Sequence, residues 1–375
     1  MIILLHHKNA TLNTALLDGK KLELINSNTF DQLLELARLR PDSWIAWTDR
    51  NRDDSEWIDL KNQATVPYKI MSKGVAPAFL VGAMDYVEDS PFINFSTDSW
   101  YPTWLMSAEM GLVHASILIQ TKGFKATGNF EYDLNLFTKL AQPQGLFCYS
   151  KLTRPRAERN SLAAYKFIAQ TKKRRWTLLL LLCHFTYEQR FPFLAFAKAC
   201  FTKSRSLSLK LESLQNAVVL ESDEPFDYDV VIPTMGRAAY LKDVLTDLAA
   251  QSIVPQKVII VEQNGDINAS TELSYLKSQS WPFEICHKFI NQTGACNARN
   301  LALKEAAASW VLLFDDDVRI KTDFAAQASF ALKATQAKAL TFACLQSNEV
   351  ENEKAHKQWI SFGSGCSIAH NDALE

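Results

Sequence analysis

Trp310-Val311-Leu312-Leu313-Phe314-Asp315-Asp316-Asp317 is the stretch on which the fold turns. A short apolar run of this kind reads as a strand buried inside a sheet, and three carboxylates at its end repel one another at a cost unless a cation compensates them. A hard divalent ion such as Mg²⁺ or Mn²⁺ takes a few carboxylate oxygens and completes its shell with water and phosphate oxygens. Alternate residues of an extended segment point the same way, so Asp315 and Asp317 are expected to hold the metal while Asp316 turns aside. The competing reading is a solvated acidic turn after an edge strand.

Working outward, further β-rich runs occur at Asp229–Ile232, Lys257–Val261, Phe283–Cys286 and Ala339–Ala343. They alternate with helical patterns, which predicts an α/β unit with a mostly parallel sheet. Between the first two runs Leu241, Val244, Leu245 and Leu248 recur at helical spacing and complete a βαβ unit. Ligands of such sheets bind beyond the carboxyl ends of the strands. There the chain carries Pro233-Thr234-Met235-Gly236-Arg237, then Glu262-Gln263-Asn264-Gly265-Asp266, then the three aspartates, so polar and acidic groups gather on one edge. Neither G-x-G-x-x-G nor G-x-x-x-x-G-K-[ST] is present at these positions, which leaves a dinucleotide fingerprint and a Walker loop unsupported. Upstream of the aspartates, Asn291-Gln292-Thr293-Gly294-Ala295-Cys296-Asn297-Ala298-Arg299-Asn300 leads into a helix predicted over Ala298–Ala307. Gly294 permits a tight entry, the helix amino end favours anions, and Arg299 can fork onto phosphate oxygens. Seen alone, Arg299 is equally a surface cation.

Together these motifs resemble a family 2 glycosyltransferase of the A-type fold over residues 226 to 375. The resemblance is carried by Val230-Val231-Ile232-Pro233-Thr234 with Arg237, by Val258-Ile259-Ile260-Val261-Glu262, by Gly294-Ala295-Cys296-Asn297-Ala298-Arg299-Asn300, and by Leu313-Phe314-Asp315-Asp316-Asp317. It implies a C-terminal Rossmann-like, mostly parallel sheet with flanking helices, truncated relative to the family, beside an N-terminal α/β domain. It also implies donor-binding residues Pro233, Thr234, Arg237, Glu262, Gly294, Arg299, Asp315 and Asp316, with Asp315 and Asp317 on the metal. Pro233, Thr234 and Glu262 would line the base and ribose pocket, and Arg299 would lie near the diphosphate. The family inverts the anomeric centre by direct displacement: the metal stabilises the departing nucleoside diphosphate and a separate carboxylate deprotonates the acceptor. That base lies in a Glu-Asp segment beyond the part resembling Ser361-Phe362-Gly363-Ser364-Gly365-Cys366-Ser367, whereas this sequence stops at Glu375, so no catalytic base is assigned and His370 is read as structural or as part of the acceptor loop.

The rest of the chain sets the context. With 375 residues, 47% of them hydrophobic, two globular units are expected. The net charge of −1 gives no whole-molecule attraction to nucleic acid. Seven scattered cysteines without a C-x-x-C pair fit reduced thiols of a cytoplasmic protein. Met1-Ile2-Ile3-Leu4-Leu5 is too short for a signal-peptide core and reads as a first strand. Residues 1 to 150 are expected to form the N-terminal α/β domain and residues 151 to 225 a basic helical linker ending at Glu221-Ser222-Asp223-Glu224-Pro225. Between Lys151 and Lys210, 14 Lys and Arg stand against Glu158 and Glu188, a local charge of +12. Basic residues beside Trp176–Cys183 and Phe191–Phe196 suit helices lying in a membrane interface. Helices packed on a domain core would carry the same pattern.

A fainter likeness lies inside the chain. Ser43-Trp44-Ile45-Ala46-Trp47-Thr48-Asp49 aligns with Ser309-Trp310-Val311-Leu312-Leu313-Phe314-Asp315. Ser107-Ala108-Glu109-Met110-Gly111 and Phe130-Glu131-Tyr132-Asp133 fall where a transferase carries its acceptor loop and its acid-bearing segment. On this reading the N-terminal domain is a degenerate, structural or acceptor-binding transferase-like domain, in which the arginines of Asp49-Arg50-Asn51-Arg52 would repel a cation. Chance similarity of two buried strands is the alternative. The function expected of the whole is metal-dependent, inverting hexosyl transfer from a UDP-sugar to a glycan or lipid-linked acceptor. It would serve envelope polysaccharide synthesis at the cytoplasmic face of the membrane, with peripheral contact through residues 151 to 210. The rivals are a non-catalytic nucleotide-sugar or glycan-binding module, and a nucleotidyl- or sugar-phosphate-transferring enzyme. The latter would place a Gly-rich basic loop after the first strand, where this chain offers Gly236 and Arg237.

Overall fold

A computed structural model describes residues 2–8, 11–17, 20–22, 28–64, 66–80, 83, 86–87, 98–153, 160–211, 225–346, 348–350, 356, 358, 362–363 and 365–374. The chain forms two compact units: Met1–Glu212 with Ala355–Gln358, and Ser213–Lys354 with Trp359–Glu375.

The N-terminal unit is built on strands β1 (Ile2–Lys8), β2 (Thr11–Leu17), β3 (Lys20–Leu22), β4 (Trp44–Thr48), β5 (Lys69–Val75), β6 (Tyr101–Pro102), β7 (Met110–His114) and β9 (Phe147–Thr153), in the order β3-β2-β1-β4-β7-β5-β9-β6. Two short strands, β8 (Thr121–Lys122) and β10 (Ser208–Leu209), pair separately. One face of the large sheet packs Ile3, Leu5, Ile45, Trp47 and Val113 against helices α1 (Thr29–Leu39), α3 (Ala115–Gln120) and α4 (Phe130–Ala141). The other face gathers Ala46, Met71, Met110 and Leu112 around Leu60 of α2 (Asp54–Asn62).

Residues 151 to 211 are not a linker. β9 runs on to Thr153 and pairs in parallel with β5. Helices α5 (Ser161–Thr171), α6 (Arg175–Glu188) and α7 (Phe193–Cys200) then bury Tyr165, Phe167, Ile168, Leu180, Leu181 and Ala195 with Phe79, Tyr132 and Leu136. The basic composition hid this because the charges sit on the outer faces while a full apolar face of α5 turns inward. The boundary expected at Glu221–Glu224 lies outside the described residues.

The C-terminal unit holds β11 (Tyr228–Thr234), β12 (Lys257–Gln263), β13 (Glu284–Ile290), β14 (Trp310–Phe314), β15 (Ala339–Thr341) and β16 (Cys366–His370), in the order β13-β12-β11-β14-β16-β15. The first four are parallel; β16 runs antiparallel to β14, and β15 antiparallel to β16. The Ala339 run therefore joins the sheet through an antiparallel edge rather than extending the parallel series. Alternate strand residues face two helical layers. Val230, Ile232, Ile260, Leu312 and Phe314 meet α8 (Ala238–Ala249) and α10 (Phe324–Thr335), while Val231, Ile259, Val261, Val311 and Leu313 meet α9 (Ala295–Leu303). Burial on both faces is why these strands read as unbroken apolar runs.

The two sheets share a local plan. β4 lies between parallel β1 and antiparallel β7, as β14 lies between parallel β11 and antiparallel β16. Trp44 pairs with His114 and Trp310 with His370, and in both pairs the rings stand edge to face, 5.1 and 5.0 Å apart. The Asp49 N–H donates to the Glu109 carbonyl and the Asp315 N–H to the Gly365 carbonyl, each at 2.9 Å. At the other end of the strand, Ala115 N–H donates to Ser43 and Asn371 N–H to Ser309, again at 2.9 Å.

Candidate active site

The carboxyl ends of β11, β12 and β14 form the site. Pro233 and Thr234 close β11 and lie beside Val261 and Glu262 of β12. Just past β14 the chain leaves the extended conformation and turns, which decides where the three carboxylates go. Asp316, 6% exposed, accepts from the Thr234 hydroxyl at 2.6 Å and from Arg237 Nη1 at 3.2 Å. The same Nη1 donates to Asp317 at 2.6 Å, and Arg299 Nη2 donates to Asp315 at 2.5 Å. Asp316 thus turns aside from Asp315 as the alternation requires: it continues the face of Phe314 and Ile232 toward Thr234, while Asp315 continues the face of Leu313 toward Arg299 of α9. Asp317 is the one that departs, because the turn after β14 sets it on the guanidinium that Asp316 shares rather than beside Asp315.

Arg237 and Arg299 neutralise the run from two directions. The hydrogen bond to Asp316 and the charges of Asp316 and Asp317 raise the Arg237 pKa, so its positive charge is permanent. Arg237 is about half exposed, on the loop before α8, whereas Arg299 is mostly buried on α9. Partial burial lifts the Cys344 thiol above its usual range, against a hydrogen bond with Cys366, and the charges of Asp315 and Asp317 add to the shift. Among the described residues no cluster of three or more ligating side chains is preassembled. Two carboxylates fit a divalent ion whose remaining ligands are phosphate oxygens and water.

Gly294 enters α9 with φ +136°, a conformation that side chains rarely adopt, although no atom lies within 4 Å of where its Cβ would be. Its N–H donates to Gln263 Oε1 at 2.6 Å, which ties the helix entry to β12. The helix therefore begins at Ala295, earlier than the expected Ala298, and ends by Leu303. Beyond it, the Asp229 carboxylate accepts from Ala307 and Ala308 N–H groups at 2.8 and 3.0 Å and leads the chain into β14. Arg299 Nε and Asn297 Nδ2 are buried without a hydrogen-bond partner among the described residues, so the first turns of α9 hold unspent donors suited to an anion.

Glu262, 4% exposed, is bound by three donors: Thr271 Oγ1 at 2.5 Å, Glu272 N–H at 2.8 Å and His287 Nε2 at 2.9 Å. A carboxylate offers about four acceptor positions, which leaves one for a ligand. Sequence reasoning missed Thr271, His287 and Asp229. The signal available for His287 was a titratable side chain within β13, whose apolar run it breaks together with Lys288. His370 rests edge-on against Trp310.

Residues 229–371 match the model of the family described as Glycosyl transferase family 2, which covers less than half of the chain. The C-terminal unit therefore carries a family 2 glycosyltransferase domain. Among solved structures, TarS 1-349 of S. aureus is similar at 18% identity over 40% of this chain and 48% of that one, with a TM-score of 0.33. The same fragment in complex with UDP-GlcNAc is similar at 22% identity, over 34% and 37%, with a TM-score of 0.29. The mannosyltransferase PcManGT from Pyrobaculum calidifontis, in complex with GDP-Man and Mn²⁺, is similar at 20% identity, over 35% and 40%, with a TM-score of 0.26. The chain spans less than half the length of each of these structures. No curated protein matches the chain.

Proposed function

We propose that the C-terminal unit binds a nucleoside-diphosphate sugar at the carboxyl edge of β11, β12 and β14. We infer further that it serves metal-dependent, inverting transfer of a hexosyl group from a UDP-sugar to a glycan or lipid-linked acceptor. The observation that carries this is the convergence of Thr234, Arg237 and Arg299 on Asp315, Asp316 and Asp317 at one sheet edge. Asp315 and Asp317 would hold Mn²⁺ or Mg²⁺, which when bound offsets charge on the leaving diphosphate. Arg299, with its unspent Nε, orients the phosphates beside the α9 amino end. Arg237 balances the carboxylates until the cation arrives and, being half exposed, gives way to it at little cost. Pro233, Thr234 and the one open position of Glu262 receive the nucleoside.

The N-terminal unit is read as a transferase-like sheet that has lost this site. Asp49 stands at the place of Asp315, and Arg52 donates to it at 2.7 Å while also meeting Glu56 and Glu109 at 3.4 Å. The Arg52 side chain is 4% exposed, so a fixed guanidinium stands beside the one carboxylate that matches the C-terminal run.

The test is release of UDP from a panel of UDP-sugars by the intact chain with Mn²⁺ present. Hydrolysis or transfer that stops on chelation, and falls at least about a hundredfold in Asp317→Ala, is the expected result for a metal that supplies several kcal/mol to the departing diphosphate. Undiminished turnover in Asp317→Ala would remove the metal assignment.

A further inference from the structure

α6 is apolar around its whole circumference, yet it buries only one side. Thr177, Leu180, Leu181 and His184 face the unit, whereas Leu178, Leu179, Leu182 and Phe185 are 40 to 60% exposed. A helix that is hydrophobic all round belongs in a core or against lipid. The outer side of α7 continues the surface with Phe193 and Leu194, 53 and 78% exposed, and Phe201 follows at 88%. Phe191 joins the two helices: its ring stands edge to face with Phe185 at 6.2 Å and stacks on Phe193 at 5.8 Å. The apolar face is therefore continuous. Monomeric surfaces rarely leave such a patch open.

Its rim is basic. Lys173, Arg174 and Arg175 are exposed at the start of α6 and Lys198 on α7, while Lys172 lies 4.7 Å from the Trp176 ring. Glu188, the one acid in the sequence from 161 to 211, is bound by Arg190 and Tyr86. Among the described residues no helix is long and apolar enough to cross a bilayer. Short apolar helices with a cationic rim instead lie in the headgroup region of an anionic membrane, aromatic and leucine side chains inserted and ammonium and guanidinium groups on the phosphates.

We propose that the outer face of α6 and α7 docks the protein on an anionic lipid surface. Docking brings the N-terminal unit, and with it the chain, to the plane where lipid-borne acceptors lie. It is independent of the donor site, because partitioning is read without nucleotide.

The experiment is flotation of the full chain with vesicles of phosphatidylcholine alone and of an equimolar mixture with phosphatidylglycerol. Binding to the mixed vesicles only, weakened by high salt, is expected. Lys173→Gln, Arg174→Gln and Arg175→Gln combined should lower partitioning on the order of a hundredfold. Leu182→Glu with Phe193→Glu should abolish it while the circular dichroism spectrum and thermal midpoint stay unchanged, since both side chains already face solvent. Equal partitioning of parent and variants would overturn the proposal. So would equal binding to both vesicle types, or a lipid-independent dimer of the parent that Phe193→Glu converts to monomer.

Discussion

One residue past β4, Asp49 meets an arginine that is 4% exposed and held by three carboxylates; one residue past β14, Asp315 begins a run in which Asp316 and Asp317 share an arginine that is 51% exposed. The strands behind these two aspartates have the same neighbours, the same Trp–His pairing and the same backbone bonds at both ends. What differs is whether the positive charge can leave. A buried guanidinium with several partners is part of the fold, because removing it strands charges that water reaches poorly. An exposed guanidinium on a loop is a counter-ion that another cation can replace. On the function proposed above, a fixed counter-charge at Asp49 stands where the C-terminal run would take a cation.

Arg52→Ala should break this comparison most severely. It is expected to cost the N-terminal unit about 2–3 kcal/mol, somewhat below the ~3–5 for a fully buried pair because its partners stay a third exposed. A thermal midpoint lowered by about 6–10 °C is the readout, and an unchanged midpoint would mean that Arg52 is not structural. Gly294→Ala forces a side chain into φ +136° at the entry to α9 and should cost the C-terminal unit about 1–2 kcal/mol. Because the strain falls on the turn that carries Arg299, nucleotide affinity should fall with it, which titration calorimetry measures. Arg237→Ala should leave the thermal midpoint nearly unchanged, since this guanidinium is half exposed. Its signature is tighter Mn²⁺ binding without nucleotide, about threefold to tenfold by electron paramagnetic resonance, since a competing cation has gone; weaker Mn²⁺ binding would contradict the displacement account.

Much of the C-terminal sheet was legible because parallel strands buried on both faces write themselves as apolar runs: β14 ends at Phe314, where the sequence turns to aspartate. β13 was read only at its start, since Cys286, His287 and Lys288 at a sheet edge break the apolar run. β16 was passed over because Cys366–His370 mixes polar and small residues and pairs across the sheet rather than along the chain. At the site, the convergence of Thr234, Arg237, Arg299 and the aspartates followed from strand ends sharing one edge. The path of Asp317 did not, because the turn after β14 ends the alternation and sets it on Arg237 with Asp316. The supports of Glu262 come from Thr271 and His287, nine and 25 residues on, and no local pattern announces such contacts. The α5–α7 helices resemble a linker in sequence because their net charge masks the apolar face of α5.

Donor binding at the carboxyl edge of β11, β12 and β14 is measured most directly by calorimetric titration of UDP into the full chain with Mn²⁺, carried out on the parent, Asp317→Asn and Asp49→Asn. One UDP is expected to bind per chain, lost on chelation of the metal, weakened at least about tenfold in Asp317→Asn and unaltered in Asp49→Asn, as a charge-assisted metal contact worth more than ~1.4 kcal/mol requires. Unchanged affinity in Asp317→Asn, or a loss in Asp49→Asn at intact stability, would contradict this expectation.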